Sequence, residues 1–349
     1  MAFRNVIKIS NKLITQESPV LIIAEAGVNH NGQMDLAKKL VDAAVSAGAD
    51  AVKFQAFRTE ALILSNVPKA GYQIKNSGAR QSQSAMLKAL ELSKAQNKIL
   101  CDYCRIKKIV FLTTPFDETS LDEIDELKLP AYKVASTDIT NLLFLQKVAR
   151  KRKPLILSTG MATIDDVDQA LKAIGPINRD VVLLQCSANY PVADDEVNLR
   201  VLQTYRERYG VIVGYSDHTR GLGASPYAVA MGAKVIEKHL TLDKGLSGPD
   251  HKASLDPDEF RSLVEEIRRV ERFMGSKEKR LTASEVENRR SLQKCLVAAH
   301  PISKGSYFTH DNIIGKRTGG IGISAAEYQK LLKKKADRDY EKDEIISWK

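Results

Sequence analysis

The feature that most constrains the fold is a repeated alternation. Eight short apolar runs, VLIIAEAG, AVKFQAF, IVFLTTP, AYKVAST, PLILSTG, VVLLQCS, VIVGYSD and KVIEKHL, are separated or followed by helical stretches. These stretches read as 34–47, 86–106, 118–127, 141–150, 164–174, 198–209, 222–231 and 257–273. Strands that are apolar throughout, alternating with amphipathic helices, describe a parallel sheet covered by helices. Eight such units in roughly 250 residues match a closed (β/α)8 TIM barrel in number and size. An open doubly wound sheet is the rival arrangement. The predicted fold class is α/β, a barrel followed by a small, mostly β region.

Ahead of the first run, VIKISNKLI reads as a hairpin over residues 5–14, turned at Ser-Asn-Lys and able to plug the barrel bottom. The barrel domain is expected over 1–275. A charged segment with little apolar content, 276–290, reads as a linker with a helical turn. A small domain follows over 291–349, where KADRDYEKDEIIS echoes VAAHPISKGSYFT: each is a strand, a turn containing lysine and another short strand. The loop over 58–84 is long and polar, as lids and binding loops are.

Several function classes are disfavoured. No apolar run is long enough to span a bilayer, and MAFRNVIKIS carries no signal-peptide core, so a cytoplasmic protein with no membrane partner is expected. The four cysteines are too few for a disulfide framework. CDYC has CxxC spacing but sits in a lysine-rich helical stretch, without a second pair for zinc or the strand of a thioredoxin site. The net charge of +10 permits nucleic-acid binding. The basic residues are scattered among acids, however, and no groove-reading motif is present. An anionic small substrate drawn into a positive cleft fits better.

In a barrel the active site lies at the C-terminal strand ends. Those ends supply Glu25; Lys53 and Gln55; Thr114; Lys133, Ser136 and Asp138; Ser158; Ser187, Asn189 and Tyr190; Ser216 and His218; Glu237 and His239. Strands seven and eight are neighbours, so His218 and His239 meet at the mouth. Two imidazoles with a carboxylate, Glu25 or Glu237, suit a divalent metal. The other reading of a single histidine is a hydrogen-bonded core residue. Two lysines inside a barrel are unfavourable without anions. With Thr114, Ser136, Ser158 and Ser216 they suggest a clamp for a doubly anionic ligand, helped by backbone donors in the STGM turn. A Schiff-base lysine of an aldolase is the alternative.

The motifs AEAGVNHNG, GADAVKFQ, TTPFD, PAYKVAS, LSTGMAT, NYP, GYSDHT, EKHLTLD and GPDHKASL, in this order, resemble those of the sialic acid synthase family. That family includes N-acetylneuraminate, legionaminic acid and pseudaminic acid synthases. The likeness runs from about Val20 onward, and the tail resembles the family's antifreeze-like (SAF, β-clip) domain, with Arg317 in KRTGGIG. The resemblance implies condensation of phosphoenolpyruvate with an N-acetylmannosamine-type sugar. It implies a divalent metal, Mn2+ before Mg2+ or Co2+, held by His218 and His239. Lys53, Thr114, Lys133, Ser136, Ser158, Ser187, Asn189 and Ser216 would hold phosphoenolpyruvate. Gln55, Asp138, Tyr190, Asp250 and a partner chain's Arg317 would face the sugar in a domain-swapped homodimer, and Glu25 would serve the chemistry with the two histidines. Three departures stand out: Asp138 replaces a glutamate of some members, Gln185 replaces a frequent histidine, and the tail stops soon after EIIS.

Two other functions compete. A related barrel synthase would join phosphoenolpyruvate to a phosphorylated aldose and would need a second phosphate clamp. A non-catalytic glycan-binding protein would not need lysines inside its barrel.

Overall fold

A computed structural model of the chain describes residues 2–65, 67–69 and 82–348, so the long loop read over 58–84 lies partly outside the described residues. The chain divides into two compact units, Met1–Gly275 and Ser276–Lys349.

The first unit opens with an antiparallel hairpin, β1 (Ile7–Ile9) and β2 (Lys12–Ile14). Eight parallel strands follow: β3 (Leu21–Gly27), β4 (Ala51–Ala56), β5 (Val110–Pro115), β6 (Tyr132–Val134), β7 (Leu155–Ser158), β8 (Val181–Cys186), β9 (Ile212–Asp217) and β10 (Val235–His239). Their hydrogen-bonded order is β5-β4-β3-β10-β9-β8-β7-β6. The two ends of that order, β5 and β6, lie side by side, which closes the circle. The unit is a (β/α)8 TIM barrel.

Strand alternation sorts the core into two parts. Ile22, Val52, Phe111, Tyr132, Leu157, Leu183, Val213 and Ile236 point outward, packing under the helices. Leu21, Ile23, Ala51, Leu112, Ala131, Ile156, Val182, Leu184, Ile212 and Val235 point inward and fill the lower barrel. Ile7, Ile9 and Ile14 of the hairpin join this inner cluster, so the hairpin covers the lower end.

Local signals place the helices. Thr163 and Asp166 form a capping box at Ile164–Ile174, and Asp256 with Glu259 does the same at Pro257–Met274, where Pro257 suits the first turn. The stretch read as one helix over 86–106 is two, Gln83–Lys88 and Lys94–Ile106. The Ser93–Gln96 capping box starts a new helix there, while Leu90 and Leu92 are buried in the break. CDYC lies on the second helix with both cysteines buried, and burial pushes both thiols up. No helix among the described residues is long and apolar enough to cross a membrane.

The second unit begins with more helix than the linker reading allowed. Ala283–Leu292 is helical, has no buried residue and is capped reciprocally by Thr282 and Glu285. Beyond it, β11 (Lys294–Ala298) pairs antiparallel with β12 (Ile313–Arg317). The two echoing segments pair with each other, through Val297 with Ile345, Ile302 with Tyr340 and Tyr307 with Lys335. Leu296, Ile302, Phe308, Ile323, Tyr340 and Ile346 belong to its separate apolar core.

Candidate active site

The alternation that fills the lower barrel with aliphatic side chains changes chemistry one layer higher. Glu25, Lys53 and Gln55, Thr114, Lys133, Ser158, Cys186, Ser216, Glu237 and His239 continue the inward rows, and His218 follows at the end of β9. They line a cavity of about 680 Å³ at the C-terminal strand ends.

The floor is a charged lattice. Lys53 Nζ lies 2.8 Å from Glu25 Oε2 and 3.8 Å from Glu237 Oε2, and donates to Thr114 Oγ1 at 2.9 Å. Lys133 Nζ lies 3.6 Å from Glu237 Oε1 and donates to the Val134 carbonyl at 3.1 Å. Ser216 Oγ donates to Glu237 Oε1, and Gln55 Nε2 to Glu25 Oε1. All four charged groups are at least 95% buried, so their partners decide their protonation. Burial pushes the Glu25 carboxyl up to about 7, against Lys53 and with the help of Glu237. At Glu237 burial is outweighed by Lys133 and Lys53, which hold it below its ordinary range. One carboxylate is thereby kept ionised while the other can exchange a proton near neutrality.

The histidines stand beside this floor, ring centroids 5.5 Å apart, with the Tyr190 ring tilted 34° to His218 at 4.1 Å and edge-on to His239. His218 Nδ1 lies 2.8 Å from the Ser187 carbonyl. A carbonyl only accepts, so Nδ1 carries the proton and Nε2 is left for a ligand. Burial disfavours the charged His218 ring, but Cys186 and the Ser187 carbonyl outweigh it and raise its pKa. At His239 burial, then His218, lowers the pKa well below the ordinary value, and the buried Nδ1 has no hydrogen-bond partner. A neutral imidazole with an unengaged nitrogen next to a second imidazole fits a divalent cation. Among the described residues no group of three or more His, Cys, Asp or Glu is disposed as metal ligands.

Hydroxyls and acids complete the wall. Ser136 Oγ accepts from the Gly160 amide at 2.9 Å, and a Cβ on Gly160 would come within 2.8 Å of that oxygen. The Gly160 amide of the STGM turn is thus already engaged. Ser158 Oγ is buried without a partner. Burial raises both Asp138 and Asp250 to about 6, with Asn141 donating to Asp138.

Two predicted residues are not brought in. Ser187 Oγ donates to the Glu196 carbonyl and Asn189 Nδ2 to Glu196 Oε2, and neither lines the cavity. The inward row of β8 is Val182, Leu184, Cys186, so Cys186 takes the place read for Ser187. Gln185, the departure noted in the sequence, points outward and donates to the Val197 carbonyl. Arg317 is exposed at the end of β12 in the second unit.

Sequence reasoning gave Glu237 only as an alternative to Glu25, although period-two spacing with Val235 and His239 puts it inside. It also missed an apolar wall. Val28, Phe57, Leu62, Met86, Leu87, Leu90 and Phe116 form one cluster that lines the same cavity.

This barrel is shared with known proteins. Residues 40–279 match the NeuB family. The chain is 45% identical over 329 residues to N,N'-diacetyllegionaminic acid synthase of Campylobacter jejuni, covering 93% of this chain and 98% of that protein. It is 41% identical to the Legionella pneumophila protein of the same name, covering 94% and 93%. The solved N-acetylneuraminic acid synthetase of Leptospira borgpetersenii, in complex with citrate, superposes with a TM-score of 0.73 at 33% identity, over 83% of this chain and 98% of that one. The chain belongs to the NeuB family.

Proposed function

We propose that the barrel condenses phosphoenolpyruvate with the open-chain form of an N-acetylated hexose, giving a nine-carbon 2-keto acid and phosphate. The observation that carries this reading is the floor itself: Lys53 and Lys133, with Thr114, Ser136, Ser158 and Ser216, stand beside two histidines. The names of the relatives agree with it.

The lysines and hydroxyls bind and orient the carboxylate and phosphate of phosphoenolpyruvate, so that C3 faces the aldehyde carbon. His218 and His239 are the residues that would hold a divalent cation, Mn2+ before Mg2+ or Co2+. Bound there, it would supply Lewis-acid polarisation of the aldehyde. Carbon–carbon bond formation leaves positive charge at C2, which the floor carboxylates oppose. Glu25 takes a proton from the water that adds to C2, a role suited to a carboxyl raised to about 7. The tetrahedral intermediate then loses phosphate by C–O cleavage, and Lys53 and Lys133 stabilise the departing charge.

Gln55, Asp138, Tyr190 and Asp250 are proposed to meet the sugar. The apolar wall supports a sugar bearing methyl groups at its far end, such as a 2,4-diacetamido-2,4,6-trideoxy hexose. Among the described lining residues Lys53 and Lys133 are the only Lys or Arg, which argues against a phosphorylated aldose. The second unit is proposed to be an SAF-like cap that brings Arg317 to a partner's barrel in a homodimer.

Phosphate release from phosphoenolpyruvate tests this against a sugar panel. The diacetamido trideoxy sugar should outperform N-acetylmannosamine, and N-acetylmannosamine 6-phosphate should be poorest. Preference for the phosphorylated sugar would overturn the acceptor assignment. Release with none of them would overturn the reaction.

A further inference from the structure

The outer face of β9 and β10 carries a second charged arrangement that the proposed chemistry does not use. Asp217 and Lys238 are cross-strand partners. They point away from the cavity, and their side chains meet at 3.1 Å with 0% exposure on both. Each immediately precedes one of the two histidines.

The contacts run further than the pair. Lys238 Nζ also donates to the Thr219 carbonyl at 2.6 Å. The residue before His239 therefore grips the residues on both sides of His218. Asp217 accepts from the Thr219 amide and hydroxyl at 2.8 and 2.6 Å, and from the Ser225 amide and hydroxyl at 3.0 and 2.6 Å. This ties the strand end to the start of helix Ser225–Ala230. Gly223 closes over the network, since a Cβ there would fall 1.7 Å from Thr219 Oγ1.

A fully buried ion pair is a poor source of net stability, because desolvation offsets most of the attraction. Its best-attested use is to fix register. We infer that Asp217 and Lys238 are positioning residues: the clamp from Lys238 to Asp217 and Thr219 sets the separation and orientation of His218 and His239 for a shared divalent cation. The inference rests on the metal reading proposed above. Two ligands on separate strands hold one ion only if the strands cannot slide, and displacements of about 1 Å are enough to weaken such a site.

The test measures Mn2+ binding to the full chain by electron paramagnetic resonance of the free ion, alongside thermal stability. The D217N/K238M double substitution removes both charges, keeps hydrogen-bonding capacity toward Ser225 and leaves no lone buried ion. It should fold with a melting temperature near that of the unaltered protein, while its Kd for Mn2+ rises at least tenfold. D217N/K238Q, which can still donate to the Thr219 carbonyl and also leaves no lone buried ion, should fall between the two, and it carries the test if the first double variant does not fold. A Kd within twofold of the unaltered protein in the folded variants, whatever the melting temperature, would overturn the clamp. Failure of the unaltered protein to take up Mn2+ would instead overturn the metal reading, and the clamp's purpose with it.

Discussion

Lys53 Nζ and Glu25 Oε2, on adjacent strands β4 and β3, lie 2.8 Å apart in the barrel interior. In this pairing the lysine is held charged, with Glu237 and Glu25 outweighing its burial. A lysine so held is a poor imine former and a good anion ligand. Lys53→Met should lower kcat/KM for phosphoenolpyruvate by on the order of 10²-fold, since a lost charged hydrogen bond is worth up to about 3 kcal/mol. The KM for the sugar should change far less. Borohydride trapping of an imine at Lys53 or Lys133 would point to aldolase chemistry instead.

The Glu25 carboxyl, raised by burial to about 7, sets a pH dependence. As the group that accepts a proton from water it must be ionised, so kcat/KM should rise with pH through about 7 and level off above it. Glu25→Gln should remove that limb and lower kcat by roughly 10²- to 10⁴-fold. A profile that falls through the same range would mean that Glu25 acts protonated.

Removal of metal should abolish turnover, and Mn2+ should restore it. His218→Ala and His239→Ala should each lose activity while circular dichroism shows an intact fold. Full activity in either variant would exclude the pair as the ligand set.

Arg317 ends β12 with its side chain exposed, free to serve a ligand through its planar fork. Arg317→Ala should raise the KM for the sugar and leave that for phosphoenolpyruvate nearly unchanged. If caps are exchanged between subunits, co-refolding the Arg317→Ala chain with the His218→Ala chain should recover activity. In the mixed dimer an intact barrel receives an intact cap. No recovery in verified mixed dimers would mean that each chain caps itself.

The barrel was legible because its evidence is distributed: eight apolar runs each carry their own polar strand end. Most of the floor was legible for the same reason, since Lys53, Thr114, Lys133, Ser158, Ser216 and His239 sit on predictable inward rows. Ser187 and Asn189 fall outside the cavity because both follow the inward row of β8, Val182, Leu184 and Cys186, and their side chains turn to Glu196 instead. The break before Lys94 and the helix Ala283–Leu292 each carried a local sign, the boxes Ser93–Gln96 and Thr282–Glu285. Lysine-rich helical continuity hid the first, and a polar surface on every side hid the second. The apolar wall had no local sign at all. Val28, Phe57 with Met86, and Phe116 come from three successive connections and meet only in the folded barrel. The outward pairing of Asp217 with Lys238 could be read from parity, but its grip on Thr219 could not.

The most direct measurement uses phosphoenolpyruvate labelled with ¹⁸O at the bridging C–O–P oxygen, incubated with the full chain, Mn2+ and the acceptor sugar. Condensation with C–O cleavage predicts one nine-carbon 2-keto acid for each phosphate released, with the label retained in the phosphate. Label lost from the phosphate, or phosphate released without a matching keto acid, would contradict the proposed reaction.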